Sequence, residues 1–572
     1  MVNVKNLFGM AVMATALVGC SSNDNLAPDG KDNVGKPGEA YASFTINLPT
    51  TTGTGTRGDG DPAPTPADGT PSFAEGTAAE YEVKNGTILI FDASTDKFVT
   101  SAELGTMNPW TKKTDENGVT TAAIATVQLH NVSVTGHYKA LVLLNNYNED
   151  TSNKKVTLPT AAETYATWSK DASKVIVANY EKSTNGIFMA NAPEYKSATE
   201  QPTLVDVKNV CASREEAQAK PATTVYVERG LAKVTMQNFA TDGYKVADGT
   251  YKDATVKIEN WKLDVTNTKT FPVHQIGGLT TDYAGIWSKD RFYDTNTAST
   301  FKRVYWGVDP NYDNADFQTL ENCKTEFNMI AKGNVDGLAG ADKPQYCLEN
   351  TFDLDNMKQG QTTRVVFKAV FTPKDFTTGQ TFFKIGNNTA IWDADKLAQQ
   401  IKTVALNAMK ITDAAEQAKY GVDLSKGTNI SGVAGQHLIK AENITYTGDA
   451  ADNQVDEDAV NTINDKLGLS ADAGISTYLN GEAYYIARIK HFNELTHWTA
   501  GTPYGDDNAS FLGRYGVLRN NWYNLSVTSI SGLGYPDVPE VKPTVPDDEN
   551  DQYVNVEVKI LSWAKRSQQI KL

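Results

Sequence analysis

The stretch Tyr41-Ala-Ser-Phe-Thr-Ile-Asn-Leu48 decides the fold. Its apolar side chains Phe44, Ile46 and Leu48 alternate with polar ones, which is the period-two pattern of a β-strand with one buried face. A polar run rich in Gly, Asp and Asn precedes this strand, and a Thr/Gly run and a Pro-rich stretch follow it. Because a single strand is not stable alone, it must complete a sheet that belongs to the chain downstream.

Strand-like sequence resumes at residue 82 as short apolar or alternating segments bounded by Gly, Asn and Asp. Such spacing is typical of a β-sandwich. A second block of the same kind begins near Val225 and continues to residue 530. Residues 393–419 interrupt it with helical composition, so we expect a helical excursion on the surface of a mostly β protein.

The C-terminal end repeats the arrangement of the N-terminal end. Residues 535–551 combine four prolines with several acidic side chains, which predicts an extended, unpacked and flexible linker. After it, Val554, Val556, Val558 and Ile560 share one face of a second amphipathic strand. The sequence therefore predicts a detachable strand at each end of the chain.

The first residues have the features of an export signal. Lys5 precedes an apolar run, 7–18, which is shorter than the roughly 20 residues that a membrane-spanning helix needs. The run ends in Leu-Val-Gly-Cys20, and this resembles a bacterial lipobox, in which the cysteine is acylated, for example with palmitate, and becomes the new N-terminus. We therefore expect lipid attachment at Cys20 and export to the outer membrane. An ordinary secretory signal with an incidental cysteine is the alternative.

Composition and motifs exclude several classes of function. Lys and Arg number 53 against 69 Asp and Glu, giving a net charge of −16, so the chain is a poor partner for a nucleic-acid backbone. We find no nucleophile elbow, zinc-protease motif, phosphate-binding loop or dinucleotide fingerprint. The acidic stretch 449–458 lacks the spacing of an EF-hand, and a solvated loop is favoured over a Ca²⁺ site there. We predict no catalytic residue, no metal and no cofactor.

The cysteines leave one pairing open. In an oxidising compartment, Cys323 and Cys347 are a possible disulfide that closes a loop of about 25 residues. Two buried free thiols are the other interpretation. Cys211 is expected to be free in either case.

Several motifs together resemble the fimbrillin family of Bacteroidales, pilus subunits that are made as lipoproteins. They lie along nearly the whole chain in the order of that family: Gly186-Ile-Phe-Met-Ala190, Val227-Glu-Arg-Gly-Leu-Ala-Lys-Val234, Tyr346-Cys-Leu-Glu-Asn-Thr351, Tyr515-Gly-Val-Leu-Arg-Asn-Asn-Trp-Tyr-Asn-Leu525 and Ser529-Ile-Ser-Gly-Leu-Gly-Tyr-Pro536, followed by the final Val-rich strand. The resemblance implies two tandem transthyretin-like β-sandwich domains. It also implies cleavage by an arginine-specific protease and polymerisation by strand exchange, with the shaft subunit of a short (minor) fimbria as the nearest kin.

This resemblance and the residues together predict a division of the chain. The predicted segments are the signal peptide 1–19, a propeptide with a removable strand 20–57, the N-terminal sandwich 58–224, the C-terminal sandwich 225–534, a flexible linker 535–551 and the donor strand 552–572.

Independent support for processing comes from Arg57, which is the first arginine of the chain and lies in the exposed Thr/Gly run. Such loops are preferred sites of proteolysis. A cut between Arg57 and Gly58 would remove the lipid and the Phe44–Ile46–Leu48 strand together. The open groove would then accept the Val554–Ile560 strand of a neighbour.

The predicted partners are other copies of the chain in a head-to-tail filament, accessory tip and anchor pilins, the protease, and host or bacterial receptors. The predicted role is adhesion, biofilm formation and virulence at the cell surface. A non-polymerising glycan-binding surface lipoprotein and a tip or anchor subunit are the alternatives.

Overall fold

The structure is a computed structural model that describes residues 38–48, 80, 82–105, 111–115, 118–148, 152–183, 186–197, 199–277, 292–293, 301–313, 316–332, 340, 343–351, 353–491, 511–547 and 554–562. Strands dominate it. The first part contains β1 (Glu39–Leu48), β2 (Gly86–Asp92), β3 (Phe98–Glu103), β4 (Thr111–Asp115), β5 (Gly118–His130), β6 (Tyr138–Leu144), β7 (Met189–Asn191), β8 (Val205–Asp206) and β9 (Thr223–Arg229). Its helices are α1 (Tyr165–Ser169), α2 (Val177–Tyr180) and α3 (Arg214–Ala219).

These strands form one sheet that folds over itself into a sandwich. Its order is β3-β2-β6-β7-β9-β1-β5-β4, with β8 paired to β6. Side chains of β1 and β5 share a buried core with those of β2 and β6; Phe44, Val127, Ile88 and Val142 are members. The first sandwich extends through β9 to Arg229, past the expected end at residue 224, because β9 pairs with both β1 and β7.

The second part contains β10 (Ala232–Met236), β11 (Tyr244–Lys245), β12 (Thr255–Asp264), β13 (Thr266–Asn267), α4 (Leu320–Glu326), β14 (Phe327–Asn328), β15 (Gln345–Cys347), β16 (Arg364–Thr372), β23 (Glu482–Arg488), β24 (Asn521–Ile530) and β25 (Val554–Ser562). Two four-stranded sheets, β15-β10-β24-β25 and β11-β12-β16-β23, pack face to face. Val234 and Tyr523 of one sheet and Trp261 and Phe367 of the other lie in one buried core. The predicted class, two tandem β-sandwiches, is confirmed.

The helical excursion predicted at 393–419 belongs to a larger inserted lobe, residues 382–478. The lobe contains β17 (Phe382–Ile385), β18 (Ile391–Trp392), α5 (Ala394–Ala408), α6 (Ala414–Lys419), β19 (Tyr420–Val422), β20 (Gly435–His437), β21 (Ile444–Tyr446), α7 (Glu457–Lys466) and β22 (Ile475–Tyr478). Leu397 and Ile401 of α5 pack with Ile463 of α7 and Ile475 of β22 in a core of their own. The lobe is inserted between β16 and β23, which are antiparallel neighbours.

The acidic stretch of the lobe caps helices. Asp456 is the N-cap of α7 and its Oδ1 accepts from the amide of Ala459 at 2.8 Å. Asp449 accepts from the amide of Ala451 at 3.1 Å. A carboxylate at a helix start compensates unpaired amides. Across the residues that the structure describes, no group of three or more His, Cys, Asp or Glu could hold a metal ion.

The linker prediction was wrong for residues 535–547, which pack on the second sandwich. Val538 and Val541 are 2% and 5% exposed. The Arg364 guanidinium donates to the carbonyl of Pro539 at 2.6 Å, and Thr362 donates to the buried Asp547 carboxylate at 2.9 Å. Although prolines interrupt the segment, the valines between them make apolar contacts and the Asp547 carboxylate accepts a hydrogen bond. Residues 548–551 lie outside the described part of the chain.

The possible disulfide is also corrected, since Cys211, Cys323 and Cys347 are all buried free thiols. Cys347 lies in the core of the second sandwich. Cys323 lies in a separate cluster with Val265 and Phe327 and accepts a hydrogen bond from Gln361. Burial raises the pKa of each thiol, which keeps it protonated and unreactive.

Candidate functional site

The N-terminal strand β1 lies between β5 and β9 in the first sandwich, and we call this position the β1 slot. It pairs antiparallel with β5 over its whole length, from Glu39 opposite His130 to Leu48 opposite Thr121. On its other side it pairs parallel with β9, from Phe44 opposite Thr223 to Asn47 opposite Tyr226. The strand that stands in the sequence between two polar stretches rich in Gly, Asp, Thr or Pro is therefore an interior strand of a sheet.

The inner face of β1 is part of the hydrophobic core. Phe44 and Ile46 are fully buried and Leu48 is 2% exposed, as predicted from the alternation. Ala40 and Ala42 continue the same face toward the start of the strand and are also fully buried. Losing β1 would open a groove between β5 and β9 and would uncover the core of the sandwich along it.

The outer face of β1 is covered at one end by residues 211–219, which we call the clamp segment. The backbone of Cys211 exchanges two hydrogen bonds with Tyr41, each at 2.8 Å. Ser43, only 7% exposed, lies with its Oγ 2.8 Å from both the carbonyl of Ala217 and the hydroxyl of Thr126. The guanidinium of Arg214 lies 6.0 Å from the centre of the Tyr41 ring.

Sequence reasoning missed the clamp segment, although one local signal was available. Ser213 is the N-cap of α3, and its side chain accepts from the amide of Glu216. A serine three residues before a glutamate marks a helix start. The helix is short, however, and its contact with β1 depends on residues far apart in the chain.

The C-terminal strand β25 lies at the edge of the second sandwich. It pairs antiparallel with β24, and Val556, Val558 and Ile560 stand opposite Val527, Leu525 and Tyr523. Within the described residues it has a hydrogen-bonded neighbour on one side. The predicted donor strand is thus a real strand, but it pairs within its own chain.

The remaining predicted sites, Cys20, Arg57 and Gly58, fall outside the described residues. They stay predictions. The structure does describe the removable strand and the donor strand, which lie in different sandwiches of one chain.

Three of the motifs that carried the resemblance converge on a buried ionic cluster between the two sandwiches. Glu228 accepts from Arg303 Nε at 2.5 Å and lies 2.8 Å from His274 Nδ1. Burial alone would raise the pKa of Glu228, but Arg303 and His274 outweigh it and lower that pKa to about 2. Arg303 also donates to the carbonyl of Arg519, which is paired with Glu349 at 3.2 Å.

A second ionic group adjoins the first. The Lys233 ammonium lies 2.6 Å from the Glu80 carboxylate and 3.5 Å from the centre of the Trp522 ring. Tyr346 donates to the same carboxylate at 2.6 Å, and Arg229 donates to the Glu80 carbonyl at 2.8 Å. Paired buried charges of this kind hold the segments that carry them in place, because breaking one pair leaves an uncompensated charge. We describe the cluster as a rigid joint between the two sandwiches.

No helix in the described part of the chain is long and apolar enough to cross a membrane. No curated protein sequence is significantly similar to the chain.

Solved structures similar to the chain come from Parabacteroides distasonis. A candidate cell adhesion protein is 10% identical, with a TM-score of 0.37 over 93% of this chain and 99% of that one. A second candidate cell adhesion protein is also 10% identical, with a TM-score of 0.32 over 92% of this chain and 100% of that one. A fimbrial assembly protein is 14% identical, with a TM-score of 0.22 over 42% of this chain and 67% of that one.

One family model matches the sequence. Residues 476–569 match the C-terminal region of fimbrillin, the major fimbrial subunit protein type IV. The match includes β23, β24 and β25 and the packed segment between the last two. The C-terminal region of the chain is therefore similar to that of fimbrillin.

Proposed function

We propose that the chain is a structural pilin that polymerises into cell-surface fimbriae by protease-activated donor-strand exchange and so mediates adhesion. The observation that carries the proposal is the position of β1. An interior strand of a folded sandwich is joined to the rest of the chain only through the segment 49–79, and that segment contains Arg57. A single cut there would turn an interior strand into a separate, replaceable piece.

The proposed sequence of events starts from a lipoprotein precursor. Cys20 anchors it to the outer membrane, and an arginine-specific protease then cuts between Arg57 and Gly58. The segment 20–57 leaves with β1, and the groove between β5 and β9 becomes free. The product is the shaft subunit of a short fimbria, which works with tip and anchor pilins and binds host or bacterial receptors. The proposed role is structural, without enzymatic activity.

The free energy that a replacement strand must supply follows from the apolar side chains that β1 buries. Phe44, Ile46 and Leu48 are each at most 2% exposed, and full burial stabilises by about 1.5–3 kcal/mol for each such side chain. The empty groove is therefore unstable by several kcal/mol. A strand with four aliphatic side chains, such as Val554, Val556, Val558 and Ile560, offers about 6–12 kcal/mol before the entropy of ordering.

The position of β25 supplies a driving force for its transfer. Among the residues that the structure describes, β25 is an edge strand with one ladder, to β24, whereas the β1 slot offers ladders with both β5 and β9. Moving β25 of one subunit into the slot of the next therefore exchanges one ladder for two. Because the strand and the slot are different surfaces, this contact is heterologous and propagates into a filament instead of closing.

The decisive experiment deletes Tyr553–Leu572 and compares assembly after protease activation. We expect both sandwiches to stay folded, because 535–547 remains packed on the second one, and polymerisation to stop. The double variant V556D/V558D should assemble almost as poorly, since an unpaired carboxylate in an apolar groove costs several kcal/mol.

The matched controls E557Q and K559Q change the other face of the same strand and should assemble normally. Filaments are scored by electron microscopy and by heat-labile ladders on gels. Filaments from the truncated protein would refute the assignment of the donor strand to this segment, as would a loss of assembly in E557Q equal to that in V556D/V558D. Normal folding without any assembly of the intact, processed protein would favour a non-polymerising surface lipoprotein.

A further inference from the structure

The two end strands of the chain carry the same residue pattern over eight positions. Tyr41–Leu48 reads Tyr-Ala-Ser-Phe-Thr-Ile-Asn-Leu, and residues 553–560 read Tyr-Val-Asn-Val-Glu-Val-Lys-Ile. Tyrosine begins both, apolar side chains follow at every second position, and polar side chains alternate with them. We propose that the incoming strand of a neighbouring copy takes the β1 slot in this one register, with Tyr553 at the place of Tyr41. The inference rests on the proposed strand exchange.

In this register every inward position stays apolar. Val554 takes the place of Ala42, which is fully buried, and Val556 takes the place of Phe44. The next two inward positions, Ile46 and Leu48, receive Val558 and Ile560. Val554 is larger than Ala42 and Val556 is smaller than Phe44, so the two changes in side-chain volume partly offset each other. Apolar changes that conserve total volume are well tolerated in cores.

The outer face of the strand in the β1 slot adds specificity for one register, because the clamp segment covers the position of Ser43. Ser43 Oγ donates to the carbonyl of Ala217 at 2.8 Å, so a short side chain with a donor fits there. Asn555 has both properties, since its amide Nδ2–H can make the same bond. Tyr553 would bring a ring to the place of Tyr41 beside Arg214.

Neighbouring registers violate these requirements. A shift of two residues in one direction brings Glu557 to the place of Ser43, where its carboxylate would face the Ala217 carbonyl, and Ser562 to the buried place of Leu48. A shift of two in the other direction puts Gln552 at the buried place of Ala42. Shifts of one residue turn every apolar side chain to the wrong face.

A strand running in the opposite direction also violates the requirements of the inner or the outer face. With its valines facing inward, one reversed register puts the long Lys559 side chain at the covered place of the short Ser43. The other puts Glu557 beside the Ala217 carbonyl and Gln552 into the core at the place of Leu48. Unpaired polar groups at such positions cost free energy. The slot and its clamp segment therefore select both the direction and the register of the occupant.

Engineered disulfides test the register directly. Ser43 and Thr126 are opposite each other with their hydroxyls 2.8 Å apart, which places their Cβ atoms within reach of a disulfide. The variant N555C/T126C should therefore cross-link between subunits after protease activation and give ladders that survive heat without reductant. S43C/T126C should cross-link within one uncleaved precursor and serves as the positive control. The single variants N555C and T126C control for the three native thiols.

The matched variants E557C/T126C and Y553C/T126C report the two registers shifted by two residues and should give no cross-link. Filaments with either of these cross-links would overturn the register while strand exchange stands. Filaments with none of the three cross-links would overturn the placement in this slot altogether. Failure of the wild-type protein to form filaments at all would instead remove the proposed function, and the register with it.

A second measurement tests the clamp segment. N555S restores the residue type that occupies this place in the precursor and should assemble as well as wild type. N555E places a carboxylate beside the Ala217 carbonyl and should lower the yield of filaments by more than about tenfold, since several kcal/mol are lost. Equal assembly of N555S and N555E would show that the clamp segment does not contact position 555, and would refute this part of the proposal.

Discussion

The precursor's dependence on β1 leads to a sharp prediction for Phe44→Ala. Phe44 is fully buried between β5 and β9, and replacing a buried phenylalanine by alanine costs about 3–5 kcal/mol, from lost burial and the cavity that remains. Hydrogen exchange that proceeds by opening of β1 should therefore accelerate by about two to almost four orders of magnitude. Amides of β5 and β9 should show the change.

Two internal references make this result interpretable. Thr45→Ala alters the neighbouring position on the other, half-buried face and should change exchange by much less. Amides of β16 belong to the second sandwich and should exchange as in the wild-type protein. The reasoning is refuted if Thr45→Ala accelerates β5 exchange as much as Phe44→Ala, or if Phe44→Ala leaves β5 unchanged.

Three further predictions concern export, processing and the joint between the sandwiches. Cys20→Ala should abolish metabolic acyl labelling and leave unprocessed precursor, whereas unchanged labelling would contradict the lipobox. Arg57→Ala should give a stable monomer that retains β1 and does not assemble; an N-terminus before Gly58 in assembled wild-type material would count against this site. Glu228→Gln should lower stability by about 3–5 kcal/mol at neutral pH, because it leaves Arg303 buried without its carboxylate. Since the folded-state pKa of Glu228 is lowered from 4.5 to about 2, its stabilisation is present above pH 4.5 and is lost as the pH falls toward 2; denaturant titrations should show that loss in wild type and not in Glu228→Gln.

The sequence predicted the features that depend on local periodicity and on the order of segments along the chain. An amphipathic strand between polar, Gly- and Pro-rich stretches had to complete a distant sheet, and β1 does so with the predicted face buried. The capping pattern at Ser213 could have indicated the helix of the clamp segment, but its contact with β1 could not be predicted. A serine hydroxyl bonded to a helix carbonyl leaves no trace in a hydrophobic pattern. The ionic cluster was invisible for a similar reason: Glu228 and Arg303 become partners only through tertiary structure.

Two errors have a common physical origin. Residues 535–547 were predicted to be unpacked because proline and acidic side chains dominate them, yet the buried valines 538 and 541 anchor the segment. The inserted lobe was recognised only at its long helix, because its strands are two to four residues long and too short for periodicity to identify. Composition describes a segment on average, whereas packing depends on a few side chains.

The inserted lobe would make a filament of this chain modular. Its two connections reach it from adjacent strands, with Val370 of β16 opposite Glu482 of β23, and its own core lies apart from those of the sandwiches. Substitutions on its surface would leave the residues of β1, β5, β9 and β25 unchanged, so the lobe could diversify without altering the proposed joint between subunits. A foreign epitope placed in it would then be displayed once per subunit, as a regular multivalent array.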